Sequence, residues 1–271
     1  MSYLEQQWKD LTIELDEGLL WVTLNRPEAS NAYSSELVES LTTVLSKADE
    51  DRNVRVIIIT GAGKNFCAGG DIKAMKNKSG MFAGEANELR EAYQNGIQKI
   101  PRTINHLKTP VIAMVNGAAV GAGCDLSVMC DFRIASEEAS FAETFAKVGL
   151  VPGDGGAYFL IRAIGYAKAM EMFLTAKTYS ALEAREMGLV NLVVPHSKLR
   201  EETRNLALKM SELPPIALQM TKKSLLNAYH SSLDAHLDLV SAMQGITQRT
   251  SDHFTALEGM MEKKKKSFKH F

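Results

Sequence analysis

Three times before residue 160 a short apolar run ends in a cluster of glycines, and this repetition limits the fold more than any other feature of the chain. Val54 to Ile59 leads into Gly61-Ala62-Gly63. Val111 to Val115 leads into Asn116-Gly117 and then Gly121-Ala122-Gly123. Phe132 to Ala135 is followed by Pro152-Gly153-Asp154-Gly155-Gly156. Runs this short, rich in β-branched residues and punctuated by glycine, read as buried strands. Between them lie segments of helical period, one from Ser34 to Asp49 with Leu37, Leu41, Val44, Leu45 and Ala48 on one face, and a longer polar one from Glu85 to Leu107. Strand, turn and helix in repeated order predict an α/β domain.

Ahead of the first repeat, alternation around Thr12 to Leu15 and Trp21 to Leu24, with Asp16-Glu17-Gly18 between, predicts a β-hairpin. An apolar helix is expected from Gly121 through Leu126 and Met129. From about Glu201 the pattern is helical, broken at Pro214-Pro215, and it closes on an amphipathic stretch from Thr250 to Lys266. Such a tail exposes apolar faces if it stands alone, so it is expected to cover the main domain or to meet another subunit. The chain is therefore divided into a core, 1–200, and a helical region, 201–271.

With 45% hydrophobic residues and 31 basic against 32 acidic side chains, the 271-residue chain can bury a large core and offers no global attraction to nucleic acid or anionic membranes. Cys67, Cys124 and Cys130 form no disulfide framework or metal-ligand pattern. The N-terminal Met-Ser-Tyr-Leu-Glu-Gln-Gln-Trp-Lys-Asp lacks a basic region followed by an apolar one, and no apolar run spans a bilayer. The expectation is a cytoplasmic protein that begins where the sequence does.

The glycine clusters do not fit the common nucleotide or hydrolase motifs. Gly63-Lys64 is followed by Asn65, not Ser or Thr, which rules out a P-loop. Gly121-Ala122-Gly123 has Leu126 where a dinucleotide fingerprint needs its third glycine. Neither Gly-x-Ser-x-Gly nor His-Glu-x-x-His occurs, so the standard hydrolase and metalloprotease readings both fail. Two glycine-rich turns, each following a core strand, can aim unpaired backbone N–H groups at one point and so build an oxyanion hole. A helix starting near Ala122 adds a positive end. Asp125, one turn further on, would stand over the same pocket as a proton carrier. The competing reading makes the glycines ordinary turns and Asp125 a first-turn acid that stabilises its helix.

Three ordered motifs point to one family: Asn65-Phe-Cys-Ala-Gly-Gly-Asp-Ile72, the run from Thr109 to Asp125, and Gly149-Leu-Val-Pro-Gly-Asp-Gly-Gly156. They closely resemble the signatures of the crotonase, or enoyl-CoA hydratase/isomerase, family. The resemblance extends from Asn25-Arg26-Pro27 through Ala184 to Val190 and on to Glu258-Gly259. It implies a spiral of repeated β-β-α units, a helical C-terminal trimerisation region, and a homotrimer or a hexamer of two trimers. It also implies an acyl-CoA thioester substrate in fatty-acid or related acyl-CoA metabolism, with coenzyme A as part of the substrate, no separate cofactor and no metal. The oxyanion hole is then expected at the N–H groups of Ala68 and Ala122. The arm Ala62, Lys64, Phe66, Gly69, Gly70, Asp71 and Ile72, preceded by Arg26 and Ala29, would receive the coenzyme A. Lys64, Lys73 and one of Lys263 to Lys266 are candidate phosphate contacts.

The departures bear on the reaction. Hydratases of this family carry one glutamate at the position of Asp125 and a second at that of Phe145. Glu143 lies two residues before Phe145 and would share its face if the strand continued. Asp154 matches an acid implied by the related dienoyl-CoA isomerases, or else is an N-cap before a helix beginning near Ala157. Hydration, double-bond isomerisation by Asp125 and Asp154, and thioester binding without catalysis all remain open on the sequence. Cys124 and His106 are read as packing and helix-end residues, and Lys263 to Lys266 as a solvated helix end, not a nucleic-acid site.

Overall fold

A computed structural model describes residues 2–269. The expected hairpin is β1 (Leu11–Asp16) and β2 (Leu19–Leu24), paired antiparallel, with Glu17 and Gly18 both at positive φ in the two-residue turn. Helix α1 (Ser35–Glu50) follows, its N–H at Leu37 capped by the Ser34 hydroxyl, and β3 (Val56–Gly61) then pairs parallel with β2.

The segment expected as one helix from Glu85 to Leu107 is three-quarters helix and one break. After α2 (Ile72–Lys76), helix α3 (Ala86–Asn95) stops at Gly96, whose ψ of −105° lies outside the helical region, and α4 (Lys99–His106) starts anew. Pro101 explains the restart. In an unbroken helix it would remove an interior hydrogen bond, whereas in the first turn of α4 its missing N–H costs nothing.

The next units show the repeat directly. Strand β4 (Val111–Val115) joins the main sheet, β5 (Ala118–Val120) turns out of it, and α5 (Ala122–Met129) follows. Then β6 (Phe132–Ser136) joins the main sheet, β7 (Ser140–Ala142) pairs parallel with β5, and α6 (Gly156–Ile164) follows. Helix α7 (Tyr166–Thr175), β8 (Thr178–Ser180), α8 (Ala181–Glu186) and β9 (Leu192–Val194) complete the pattern. The large sheet has the order β1-β2-β3-β4-β6-β9 and the small one β5-β7-β8. First strands of each unit build one sheet and second strands the other, which is the β-β-α spiral.

Strand alternation assigns the two faces of the large sheet. Leu20, Val22, Ile57, Ile59, Val111, Ala113 and Val115 join the core that includes Leu37, Leu41 and Leu45 of α1. Leu19, Trp21, Val56, Ile58, Ile112 and Met114 face the other way, against Leu199, Ala207 and Met210 of α9 (Leu199–Ser211). A parallel sheet covered on both faces reads as continuous apolar runs, which is why these strands were visible in the sequence.

Helices α10 (Pro215–Ala228), α11 (Leu233–Thr247) and α12 (Ser251–Glu262) finish the described chain. Leu225, Tyr229, Leu233, Met260 and Met261 on them are each more than 60% exposed. The lysine run does not end a helix as expected. Helix α12 stops at Glu262, Lys263 takes a left-handed φ of 53°, and Lys264 N–H closes back onto the Gly259 carbonyl. No helix among the described residues is long and apolar enough to cross a membrane.

Candidate active site

The glycine-rich arm that leaves β3 is held by two buried asparagines. Asn31 Nδ2 donates to the carbonyls of Ala62 and Asn65 at 2.9 Å each and of Phe66 at 3.2 Å, while its Oδ1 accepts the Arg26 N–H. Asn116 Oδ1 accepts the Gly61 N–H, and its Nδ2 donates to the Gly63 carbonyl, both at 3.1 Å. Thus fixed, Phe66 and Cys67 run beside β5: both N–H groups donate to the Ala118 carbonyl, and Val120 N–H donates back to Cys67. The two asparagines are the arm's scaffold, and the sequence reading missed both because their partners are backbone atoms far along the chain.

Gly69 lets the arm meet the start of α5. Its φ is +79°, and a Cβ there would stand 2.6 Å from the Val120 carbonyl oxygen and 2.8 Å from the Ala122 nitrogen. This turn also corrects the expected pair of oxyanion donors. Ala68 N–H donates to the Ser30 carbonyl at 2.9 Å and is engaged, because the arm at that point still pairs with the turn before α1. Past Gly69 the backbone swings free, and neither Gly70 N–H nor Ala122 N–H has an acceptor among the described residues. Tyr33 steadies this corner by donating its hydroxyl to the Ala122 carbonyl at 3.1 Å.

Gly70 and Ala122 line a cavity of about 60 Å³ whose other walls include Met75, Tyr93, Phe145 and Asp154. Through Ile72, Met75, Tyr93, Val148 and Leu150 it adjoins a second cavity of about 600 Å³ between α2 and α3. The pair suits a small polar head held at two N–H groups and an apolar tail beside them.

Three carboxyl groups cluster here, Asp154 in the cavity wall at 3% exposure and Asp125 and Glu143 outside the lining at 0% each. None of their oxygens completes a hydrogen bond to a described partner. Burial, followed by the charge of Glu143, holds Asp125 well above the usual carboxylate range. Burial pushes Glu143 up to about 8, opposed by the Cys124 thiol and Asp125 alongside. Asp154 is raised by burial too, but Asp125 and the N–H groups of Asp154 and Gly156 nearby favour its charge. No group of His, Cys, Asp and Glu among the described residues has the arrangement to hold a metal ion.

Asp154 is not an N-cap. Helix α6 begins at Gly156 after Gly155 in the left-handed region, with no side-chain cap. The shared face expected for Glu143 and Phe145 is also absent, since β7 ends at Ala142 and Phe145 opens a short 3₁₀ turn. Glu143 is thereby buried while Phe145 faces the cavity.

Of the expected substrate-binding residues, Ala68, Gly70, Ile72, Ala122 and Phe145 line the cavity. Ala29, Ala62 and Lys64 lie outside it, with Lys64 and Lys73 exposed. Phe66 is fully buried in the core. The Arg26 guanidinium is occupied by Asp10 at 3.3 Å, Asp71 at 3.6 Å and the Ala32 carbonyl at 2.6 Å, and Asp71 also caps α2, so both brace the arm.

Comparison with known proteins agrees along the whole chain. The family pattern described as Enoyl-CoA hydratase/isomerase matches residues 14–270. A probable enoyl-CoA hydratase of Mycobacterium tuberculosis is 36% identical over 263 residues, covering 97% of this chain and 99% of the relative. A crotonyl-CoA hydratase of Syntrophomonas wolfei is 33% identical, covering 96% and 98%. The crystal structure of an enoyl-CoA hydratase from Bacillus anthracis superposes with a TM-score of 0.91 at 34% identity, covering 97% and 100%.

Proposed function

The chain belongs to the enoyl-CoA hydratase/isomerase family, and from that premise we propose that it hydrates a 2-enoyl-CoA thioester through an enolate held by the N–H groups of Gly70 and Ala122. The observation that carries the reading is this pair of unengaged N–H groups at the mouth of a cavity that also contains Asp154. When a nucleophile adds at the β-carbon, negative charge moves to the thioester oxygen. Two preset donors stabilise that charge more than they stabilise the ground state, and losing one such donor costs about 3–4 kcal/mol.

Asp154 and Asp125 divide the proton work. An ionised Asp154 takes a proton from water as its oxygen bonds to the β-carbon, and a neutral carboxyl of the cluster returns one to the α-carbon. The π bond is consumed, and the cluster ends with the protons it started with. Lys64 and Lys73 are suited to the phosphates of coenzyme A, which enters as part of the substrate, and the chemistry needs no other group. Residues 1–200 carry the site and 201–271 assemble the chains into a trimer or a pair of trimers. The cytoplasm suits an acyl-CoA enzyme with three free, buried cysteines.

Double-bond migration is the second reading, favoured by Phe145. An apolar ring stands where a water-positioning carboxylate would be, and one base that removes an α-proton and returns it to the γ-carbon suffices. A panel of 2-enoyl- and 3-enoyl-CoA thioesters separates the two. Gain of one water with loss of conjugated absorbance supports hydration; gain of conjugation at constant mass supports migration. In either case Asp154→Asn should lower kcat by about 10²–10⁴ with KM little changed. An unchanged kcat would remove Asp154 from the chemistry.

A further inference from the structure

Glu143 is used by neither reading, yet the fold brings it into the site from an independent direction. It is the first residue after β7, and β7 is tied to the start of α5 by the hydrogen bond from Gly121 N–H to the Ala142 carbonyl, 2.7 Å long. That link sets Glu143 beside Cys124 and Asp125. On the other side, Asp125 lies against Gly156, where a Cβ would overlap its carboxyl, so the glycine at the start of α6 exists to admit that group. Asp154 lies two residues before the same helix. The three carboxyls therefore form a row: Asp125 is central, with Glu143 on one side and Asp154 on the other, and of the three only Asp154 lines the cavity.

Among the described residues no cation is paired with this row. The buried guanidinium of the neighbourhood, Arg133 on β6, donates to the carbonyls of Ser127, Val128, Cys130 and Leu189. The titratable groups facing the row are Cys124 on α5, Cys67 on the arm, Tyr33 before α1 and Tyr93 on α3, all neutral acids that burial holds protonated. From β8, packed against β7, Tyr179 turns its hydroxyl away to Glu171. Carboxylates in contact without a cation or donor repel, so the contacts are stable only with protons between them. The positive end of α6 decides where the remaining charge goes, namely to Asp154.

We propose that Glu143 is a positioning residue whose proton bridges to Asp125, so that Asp125 keeps its own proton towards Asp154 and Asp154 meets the substrate as the one charged member of a three-carboxyl unit. This rests on the reaction proposed above only in its last step; the shared proton is a property of the ligand-free protein. Deprotonating Glu143 would put a second charge into the row, leave a single proton for Glu143 and Asp125 to divide, and so withdraw the neutral carboxyl that returns a proton to the α-carbon.

The infrared band of protonated carboxyl groups tests the shared proton without substrate. In the ligand-free full chain it should be present at neutral pH, and Glu143→Gln should remove one component. The kcat profile should lose its fall near pH 8, the value to which burial pushes Glu143, with KM at neutral pH within twofold of the parent. Glu143→Asp should restore the band and the fall. Absence of any protonated-carboxyl band in the parent overturns the inference, even if the Gln variant fails to fold. So does a Gln variant whose kcat drops by one factor at every pH, the mark of a structural role. If the band behaves as expected while no enoyl-CoA is turned over, the shared proton stands and the proposed reaction falls.

Discussion

Burying Asp125, Glu143 and Asp154 together makes the folded chain hold protons that the unfolded chain releases. Unfolded carboxyls titrate near 4, whereas Glu143 in the folded protein is pushed up to about 8 and Asp125 lies well above its ordinary range. Between these values the native state binds more protons, so stability is greatest below about pH 4 for these groups and is lost as pH rises towards 8, by about 1.4 kcal/mol per pH unit for each retained proton. Denaturant titrations at pH 5 to 8 should show a falling midpoint, with the slope reduced by one proton in Glu143→Gln. An unreduced slope would mean that Glu143 is already ionised. Asp125 and Asp154 could be singled out in the sequence because each follows a glycine turn of a recognisable motif. Glu143 was noticed only as a neighbour on the face of Phe145, and its actual place could not be read, because it depends on β7 ending at Ala142 and nothing local separates that end from two more residues of strand. The Ala68 assignment failed similarly: which N–H of the arm is free depends on the Ser30 carbonyl, 38 residues earlier in the chain.

The elements around the site divide by how local their causes are. Strands β1 to β4 and β6 of the large sheet, α1 and α5 were legible since apolar runs and helical period act over a few residues, whereas the three-residue edge strand β9 was too short to read. The break between α3 and α4 was not read, although Gly96 and Pro101 both mark it, because the flanking polar residues continue the same pattern. The contact between the arm and α5 gives a sharper case. Gly69→Ala would combine a positive φ with a Cβ against Val120 and Ala122, which lies well inside contact distance. Strain of about 1–3 kcal/mol is expected, seen as a lowered midpoint of unfolding, together with a larger loss in kcat than in substrate affinity as the Gly70 N–H is displaced. Equal loss in both would place the glycine outside the reacting corner. Helix α3 sets a different property. Leu89 lines the larger cavity but not the smaller, so Leu89→Trp should lower kcat/KM about tenfold for a long acyl chain and leave crotonyl-CoA unaffected. If both substrates respond alike, the acyl tail runs elsewhere.

At the scale of the whole molecule, the site-bearing core closes on itself while the C-terminal helices do not. Helix α10 buries only Pro215 and α11 buries no residue, against eight in α1. Tyr229 at 64% exposure, Leu233 at 71% and Met261 at 79% lie in the helical tail whose apolar faces the sequence expects to be covered. Water disfavours such faces by about 25 cal/mol per Å², and a closed symmetric assembly removes them without creating an open-ended contact. Sedimentation equilibrium should therefore give three or six copies, and Leu233→Asp with Tyr229→Asp should release smaller species. Because assembly stabilises by mass action, the parent should unfold at a temperature that rises with protein concentration, and the double variant at one that does not. A parent that sediments as a monomer, with a concentration-independent midpoint, would leave these helices to be covered by something other than a second copy of the chain.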